Sequence, residues 1–134
     1  MRRIYADIKI TNYEDLAATA KGIIKLEEIR SISLKGRIDT GSTSLVIPKK
    51  IFRDLGLREM GEIEVKYADK RKVKRLKASG VIIKIEGRET LRLPIVEEES
   101  EVLIGNPILE DLDLIIDPKT GKLAPRYPEF FEEL

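Results

Sequence analysis

An aspartate between two β-branched residues, followed by a glycine and a run of hydroxyls, forms the stretch Ile38-Asp39-Thr40-Gly41-Ser42-Thr43-Ser44. These are the residues of the chain whose types and spacing could do chemistry. A strand that breaks into such a loop can hold one carboxylate against backbone N–H groups, so Asp39 is expected to be a buried acid rather than a solvated one. The apolar Leu45-Val46-Ile47 then resumes the strand. The chain has no histidine and no cysteine, which excludes the usual zinc sites, a Cys-His pair and a Ser-His-Asp triad. Carboxylates, hydroxyls or lysines must carry any catalysis, and no metal or cofactor is expected.

The loop needs strands to deliver it and something to brace it. Residues 29–38 alternate, with Ile32, Leu34 and Ile38 on one face, and bring Asp39 to the strand end. Upstream, Ile4, Ala6, Ile8 and Ile10 share the face of another strand. Asn12 is placed to cap a short helix, with Leu16 and Ala20 on one side and Gly22 closing it. Downstream, Pro48 suits the first turn of a helix with the stripe Ile51, Phe52 and Leu55, and Gly56 stops it. The run Val102-Leu103-Ile104-Gly105 reads as an apolar strand ending at a glycine, with Asn106 as a cap and Pro107 opening a helix. It echoes the first half of the chain: strand, glycine, helix. Only the first half supplies an acid.

Between these two elements lies a hairpin. Ile63, Val65 and Tyr67 alternate toward a turn near Ala68-Asp69-Lys70-Arg71, and the return strand carries Val73 and Leu76. Seven basic residues against one acid between Lys66 and Lys77 could form a phosphate-binding patch. The interleaved apolar residues favour a solvated hairpin whose lysines deter edge pairing. Val81, Ile83 and Ile85 form a further strand, Glu86-Gly87-Arg88 a turn, and Leu91, Leu93 and Ile95 a return strand. The acidic run Glu97-Glu98-Glu99-Ser100-Glu101 reads as a loop, Leu114–Ile116 as a last strand, and Asp117–Gly121 as a turn.

At 134 residues the chain is expected to be one domain, with residues 1–28 an amino-terminal strand and helical extension and residues 125–134 a proline-rich tail whose Phe130-Phe131 pair packs on something. A formal charge of +1 gives no global pull toward nucleic acid. The first ten residues lack the apolar core of a signal peptide and no run approaches a membrane span, so a cytoplasmic protein without a membrane partner is expected.

These residues resemble the retropepsin-like aspartic proteases, the half-length relatives of pepsin found in retroviruses and in microbes. The resemblance runs from about Ile29 to Leu123. Its anchors are Asp39-Thr40-Gly41-Ser42 and Leu103-Ile104-Gly105-Asn106, and the closing Leu114-Ile115-Ile116-Asp117-Pro118-Lys119-Thr120-Gly121 resembles the microbial members. It implies an all-β fold with short helices, a closed β-barrel of the acid-protease type, equivalent to half of pepsin. It also implies an aspartic endopeptidase. Hydrolysis by that route needs two carboxylates about 3 Å apart sharing one proton, because like charges that close cannot both ionise. One chain offers one such loop, so the resemblance implies a homodimer to which each copy contributes Asp39.

On the same footing Thr40 would hydrogen-bond across the dimer, Gly41 would let backbone approach substrate, and Ser42 would donate to the Asp39 carboxylate. Leu103, Ile104, Gly105 and Asn106 would brace the loop from beneath. Ala68, Asp69, Lys70 and Arg71 would form a flap over an extended peptide substrate. The flap tip departs from viral members in its lack of glycine and its dense positive charge. A competing reading keeps the fold as a non-catalytic homodimeric module that binds peptides in its groove or nucleic acid on the hairpin. The local alternative makes Asp39 a turn acid that caps nearby N–H groups.

Overall fold

The computed structural model describes residues 3–98 and 101–128; Glu99-Ser100 of the acidic run and the Phe130-Phe131 pair lie outside them. The first strand, β1 (Tyr5–Asn12), alternates as its sequence requires, burying Ala6, Ile8 and Ile10. At its end Asn12 does two jobs. Its Oδ1 accepts from the Asp15 N–H at 3.0 Å, capping helix α1 (Tyr13–Ala20), while its Nδ2 donates to the Leu55 carbonyl at 2.8 Å. Gly22, with φ 73°, supplies the left-handed residue after that helix. A short 3₁₀ turn at Leu26–Glu28 leads into β2 (Ser31–Asp39), which pairs antiparallel with β1 from Tyr5↔Arg37 to Thr11↔Ser31. The amino-terminal strand is thus an interior strand of the sheet, between β2 and β6.

After the Asp39 loop come β3 (Leu45–Pro48) and helix α2 (Lys49–Asp54), ended by Leu55 and by Gly56 at φ 61°. The hairpin follows as β4 (Glu59–Lys66) and β5 (Lys72–Ala78), then β6 (Val81–Ile85), β7 (Arg88–Arg92) and β8 (Ile95–Glu97). Strand β9 (Leu103–Gly105) leads into helix α3 (Asn106–Asp111), and β10 (Leu114–Ile116) pairs with β11 (Leu123–Pro125) in a separate ribbon. The architecture is mostly β, with one curled sheet in the order β4-β5-β8-β3-β9-β2-β1-β6-β7. Ile8, Ile10, Leu45, Ile47, Ile83 and Ile104 fill its concave side.

Three expectations are corrected. Among the described residues the sheet ends at β4 and β7, which do not pair with each other, so the expected closed barrel is an open, curled sheet. Strand β5 meets β8 at Leu76↔Val96 and Lys77↔Ile95, and the rest of the hairpin projects past its neighbour. Second, Leu91, Leu93 and Ile95 do not share a strand. Pro94 has no N–H to continue the ladder, so β7 ends and the chain turns. Leu91 and Leu93 stay 44% and 43% exposed, while Ile95 is buried in β8 between β3 and β5. Third, Asn106 is not the cap of α3. Gly105 occupies that position, and the Asn106 amide reaches forward to Glu110 Oε1 at 2.7 Å.

Arg88, expected in a turn, begins β7 and is buried. Its guanidinium donates to the carbonyls of Leu112 and Asp113 at 2.9 and 3.1 Å and of Tyr127 at 2.6 Å, tying the end of α3 and the tail to the sheet. Removing the donor leaves the buried Leu112 carbonyl without this partner and releases the Asp113 and Tyr127 carbonyls. Arg88→Leu is expected to lower stability by about 3 kcal/mol, read as a lower urea midpoint at unchanged slope.

A second buried charge, Asp15, makes the stability of the fold depend on acid pH. Asp15 takes the Arg30 side chain at 2.9 Å on both carboxylate oxygens and the Arg30 N–H at 3.0 Å. The Arg30 side-chain hydrogen bond is the largest influence and holds the Asp15 carboxyl below its ordinary value of 3.8, against the opposing effect of burial. A lowered folded pKa contributes stability that is complete above the unfolded value and disappears as pH falls through the folded one. Melting curves of the parent and Asp15→Asn should therefore differ most above the ordinary Asp pKa. The gap should close on further acidification.

Candidate active site

Strands β2 and β3 flank the Asp39 loop but do not pair with each other. Strand β9 lies between them, parallel to β2 at Ile38↔Ile104 and Asp39↔Gly105 and antiparallel to β3 at Leu45↔Ile104 and Val46↔Leu103. The loop is hung from the end of that strand by two backbone bonds: the Gly105 N–H donates to the Ser44 carbonyl at 3.0 Å and the Asn106 N–H to the Ser42 carbonyl at 3.1 Å. Gly105 and Asn106 make these two bonds, and Leu103 and Ile104 pair with β2 and β3. The approach at Gly105 is as close as a backbone permits. A Cβ built there would stand 2.6 Å from the Ser42 carbonyl oxygen and 2.7 Å from that of Ser44, both main-chain atoms that cannot swing away.

Within the loop the Gly41 N–H donates to Asp39 Oδ1 at 3.1 Å and the Ser42 N–H to the Asp39 carbonyl at 3.0 Å. This is an Asx-type turn. Asp39 is half-buried, not fully buried, and among the described residues its Oδ2 has no hydrogen-bond partner and the carboxylate no ion pair. Ser42 departs from its expected role. Its Oγ donates to the Ser44 carbonyl and accepts from the Ser44 N–H, both at 3.2 Å, closing the loop on itself and leaving the Asp39 carboxylate to Gly41. Thr40 and Gly41 are exposed. A Cβ at Gly41 would meet only Asp39 Oδ1, at 3.4 Å, so nothing in the folded chain demands a glycine there.

Above the loop a cleft of about 290 Å³ is bounded by Asp39, Ser42 and Val46 on one side and by Val65, Tyr67 and Glu97 on the other. The hairpin and the Asp39 loop therefore border the same cleft. Of the four residues expected at its tip, Ala68 lines the cleft and Asp69, Lys70 and Arg71 lie outside its lining. The tip turns without glycine because Lys70 takes the left-handed conformation at φ 68° and Asp69 Oδ1 accepts from the Arg71 N–H at 3.0 Å. The basic run is partly spent internally: Arg71 pairs with Asp69 at 3.5 Å, Lys72 with Glu64 at 3.8 Å and Arg75 with Glu97 at 3.7 Å.

Two cleft residues escaped the sequence reading of function. Tyr67 is legible in the sequence only as an apolar-face position of the alternating run that leads into the hairpin turn, and Glu97 as the start of an acidic loop. The Tyr67 hydroxyl donates to Glu97 Oε1 at 2.6 Å and accepts from Arg75 Nε at 3.1 Å. That hydroxyl is the largest influence raising the Arg75 pKa still further, so the guanidinium stays charged. On the far side of the loop, Asp39 and Thr40 also border a hollow of about 500 Å³ with Arg37 and Ile116. Thr40 borders a third hollow, of about 320 Å³, with Ile115 and Arg126.

Among the described residues no three His, Cys, Asp or Glu side chains converge as a metal site, and no helix is long and apolar enough to cross a membrane. What the arrangement offers is one half-free carboxylate on a hydrogen-bonded loop, in a cleft shared with a hairpin. Comparison with models of known protein families and with curated proteins matches none.

Proposed function

We propose that the chain is one subunit of a retropepsin-like aspartic endopeptidase, active as a homodimer in which each copy contributes Asp39. One observation carries the reading: the Asp39 carboxylate, with Oδ2 unpartnered among the described residues, lies in a cleft roofed by a hairpin, on a loop braced by a strand inserted between its two flanks. The other cleft carboxylate, Glu97, is engaged by Tyr67 and Arg75. Among the described residues no further carboxylate lines the cleft, and the reading takes the proton-sharing partner of Asp39 from a second copy. The exposed Thr40 and the Gly41 whose side-chain space is open both fit a loop that meets a second copy and a substrate backbone.

In the dimer the ionised Asp39 takes a proton from a bound water, whose oxygen attacks the peptide carbonyl carbon. The protonated Asp39 of the second copy donates to the carbonyl oxygen, and collapse of the tetrahedral species returns a proton to the leaving amine. No covalent enzyme intermediate forms. Because one proton is shared between two carboxylates, activity depends on the pair, and base that removes the shared proton should abolish it. A mixed peptide library incubated at acidic and neutral pH and read by mass spectrometry tests this. Scission is expected, stronger on the acidic side; intact peptides at every pH would sink the reading.

A further inference from the structure

The hairpin that roofs the cleft needs an anchor. Among the described residues it has no neighbouring strand beyond Leu76, and a two-stranded hairpin alone is marginal in water. Its exposed ion pairs do little to hold it: Lys72–Glu64 is 63% and 56% exposed, and Arg71–Asp69 59% and 66%. One tie is different in kind. Tyr67, the last residue before the turn, donates its hydroxyl to Glu97 Oε1 at 2.6 Å and receives Arg75 Nε at 3.1 Å. The Arg75 and Glu97 side chains are only 29% and 20% exposed, and the Arg71 guanidinium lies 4.6 Å above the Tyr67 ring. A charge-assisted, partly shielded network of this sort is stronger than a surface pair.

We propose that Tyr67, Glu97 and Arg75 form a clamp that fixes the β4–β5 hairpin over the Asp39 cleft, with Glu97 as a positioning residue for a chain bound there. That the bound chain is a peptide rests on the endopeptidase reading; the clamp itself does not. Tyr67 and Glu97 both line the cleft, so an occupant touches the same groups that hold the roof down. Hairpin position and occupancy are then coupled. A loosened hairpin has to be ordered on binding, which weakens substrate binding while leaving the chemistry at Asp39 in place.

Deuterium exchange tests the clamp without any activity. The Tyr67 and Lys70 amides, bonded across the turn to Arg71 and Tyr67 carbonyls, report the tip; amides of β3 and β9 report the body. Tyr67→Phe, which removes only the hydroxyl, and Glu97→Ala should each speed tip exchange about tenfold with body exchange unchanged. Glu97→Gln keeps an acceptor for the phenol and should stay within about threefold of the parent. On a peptide the parent cleaves, Tyr67→Phe should raise KM about tenfold with kcat within about threefold. Tip exchange equal in parent and Tyr67→Phe, or a rise spread equally over β3 and β9, overturns the clamp. The expected exchange pattern in a protein that cleaves no peptide supports the clamp and overturns the endopeptidase reading alone.

Discussion

Asp39→Asn is expected to lower kcat/KM for peptide cleavage by at least about 10³-fold, because it removes the group that accepts and returns a proton. The substitution is nearly isosteric. The amide oxygen can still accept from the Gly41 N–H, so the turn, the β9 brace and the melting temperature should be essentially those of the parent. That separation gives the result its meaning. If Asp39 were only a turn acid, the same change would leave any cleavage untouched. Kinetics on a cleaved peptide, with a melting curve on the same preparation, give both readings.

Gly105→Ala is expected to be the most damaging small substitution in the site. The new methyl would fall within 2.8 Å of three backbone atoms of the Asp39 loop, the Ser42 and Ser44 carbonyl oxygens and the Ser44 nitrogen. Relief requires pushing the loop off β9, with loss of the Gly105 to Ser44 and Asn106 to Ser42 bonds. A cost of about 2–4 kcal/mol follows from overpacking and lost backbone bonds. Activity should fall further than stability, since a loop displaced by about 1 Å misplaces the carboxylate. Gly36 offers the control. A Cβ there would press, at 2.7 and 2.9 Å, on the ends of the Ile104 and Ile8 side chains, which can rotate, so Gly36→Ala should cost less in denaturant unfolding.

Local features of this fold were readable because their causes are local. The alternation of β1, the Asn12 cap, the left-handed Gly22 and Gly56 and the break at Asp39 each follow from neighbouring residues, and each occurs. The hairpin turn was legible as well, although Lys70 rather than a glycine adopts the left-handed backbone. What long-range pairing decides was not legible. Pro94 marked a break in retrospect, but nothing near Ile95 shows that β8 will leave β7 and join β3 and β5. The open edge of the sheet depends on how far β4 and β5 outrun β8. Tyr67 and Glu97 meet across 30 positions, so neither carried a local signal of a shared site. The Ser42 hydroxyl turns instead to Ser44, two residues along the same loop, which offers it both a donor and an acceptor.

In the proposed homodimer Asp39 makes half a site, completed by a second copy. Mixing the parent with Asp39→Asn, allowing subunits to exchange, and measuring peptide cleavage tests it directly. If both acids are required, an equal mixture leaves about one quarter of the dimers with two aspartates, so cleavage per parent chain drops to about half. Increasing the inactive variant at constant parent should drive activity down further. Activity proportional to parent chains alone, unaffected by added Asp39→Asn after demonstrated subunit exchange or in a protein that sediments as a monomer, would contradict the claim.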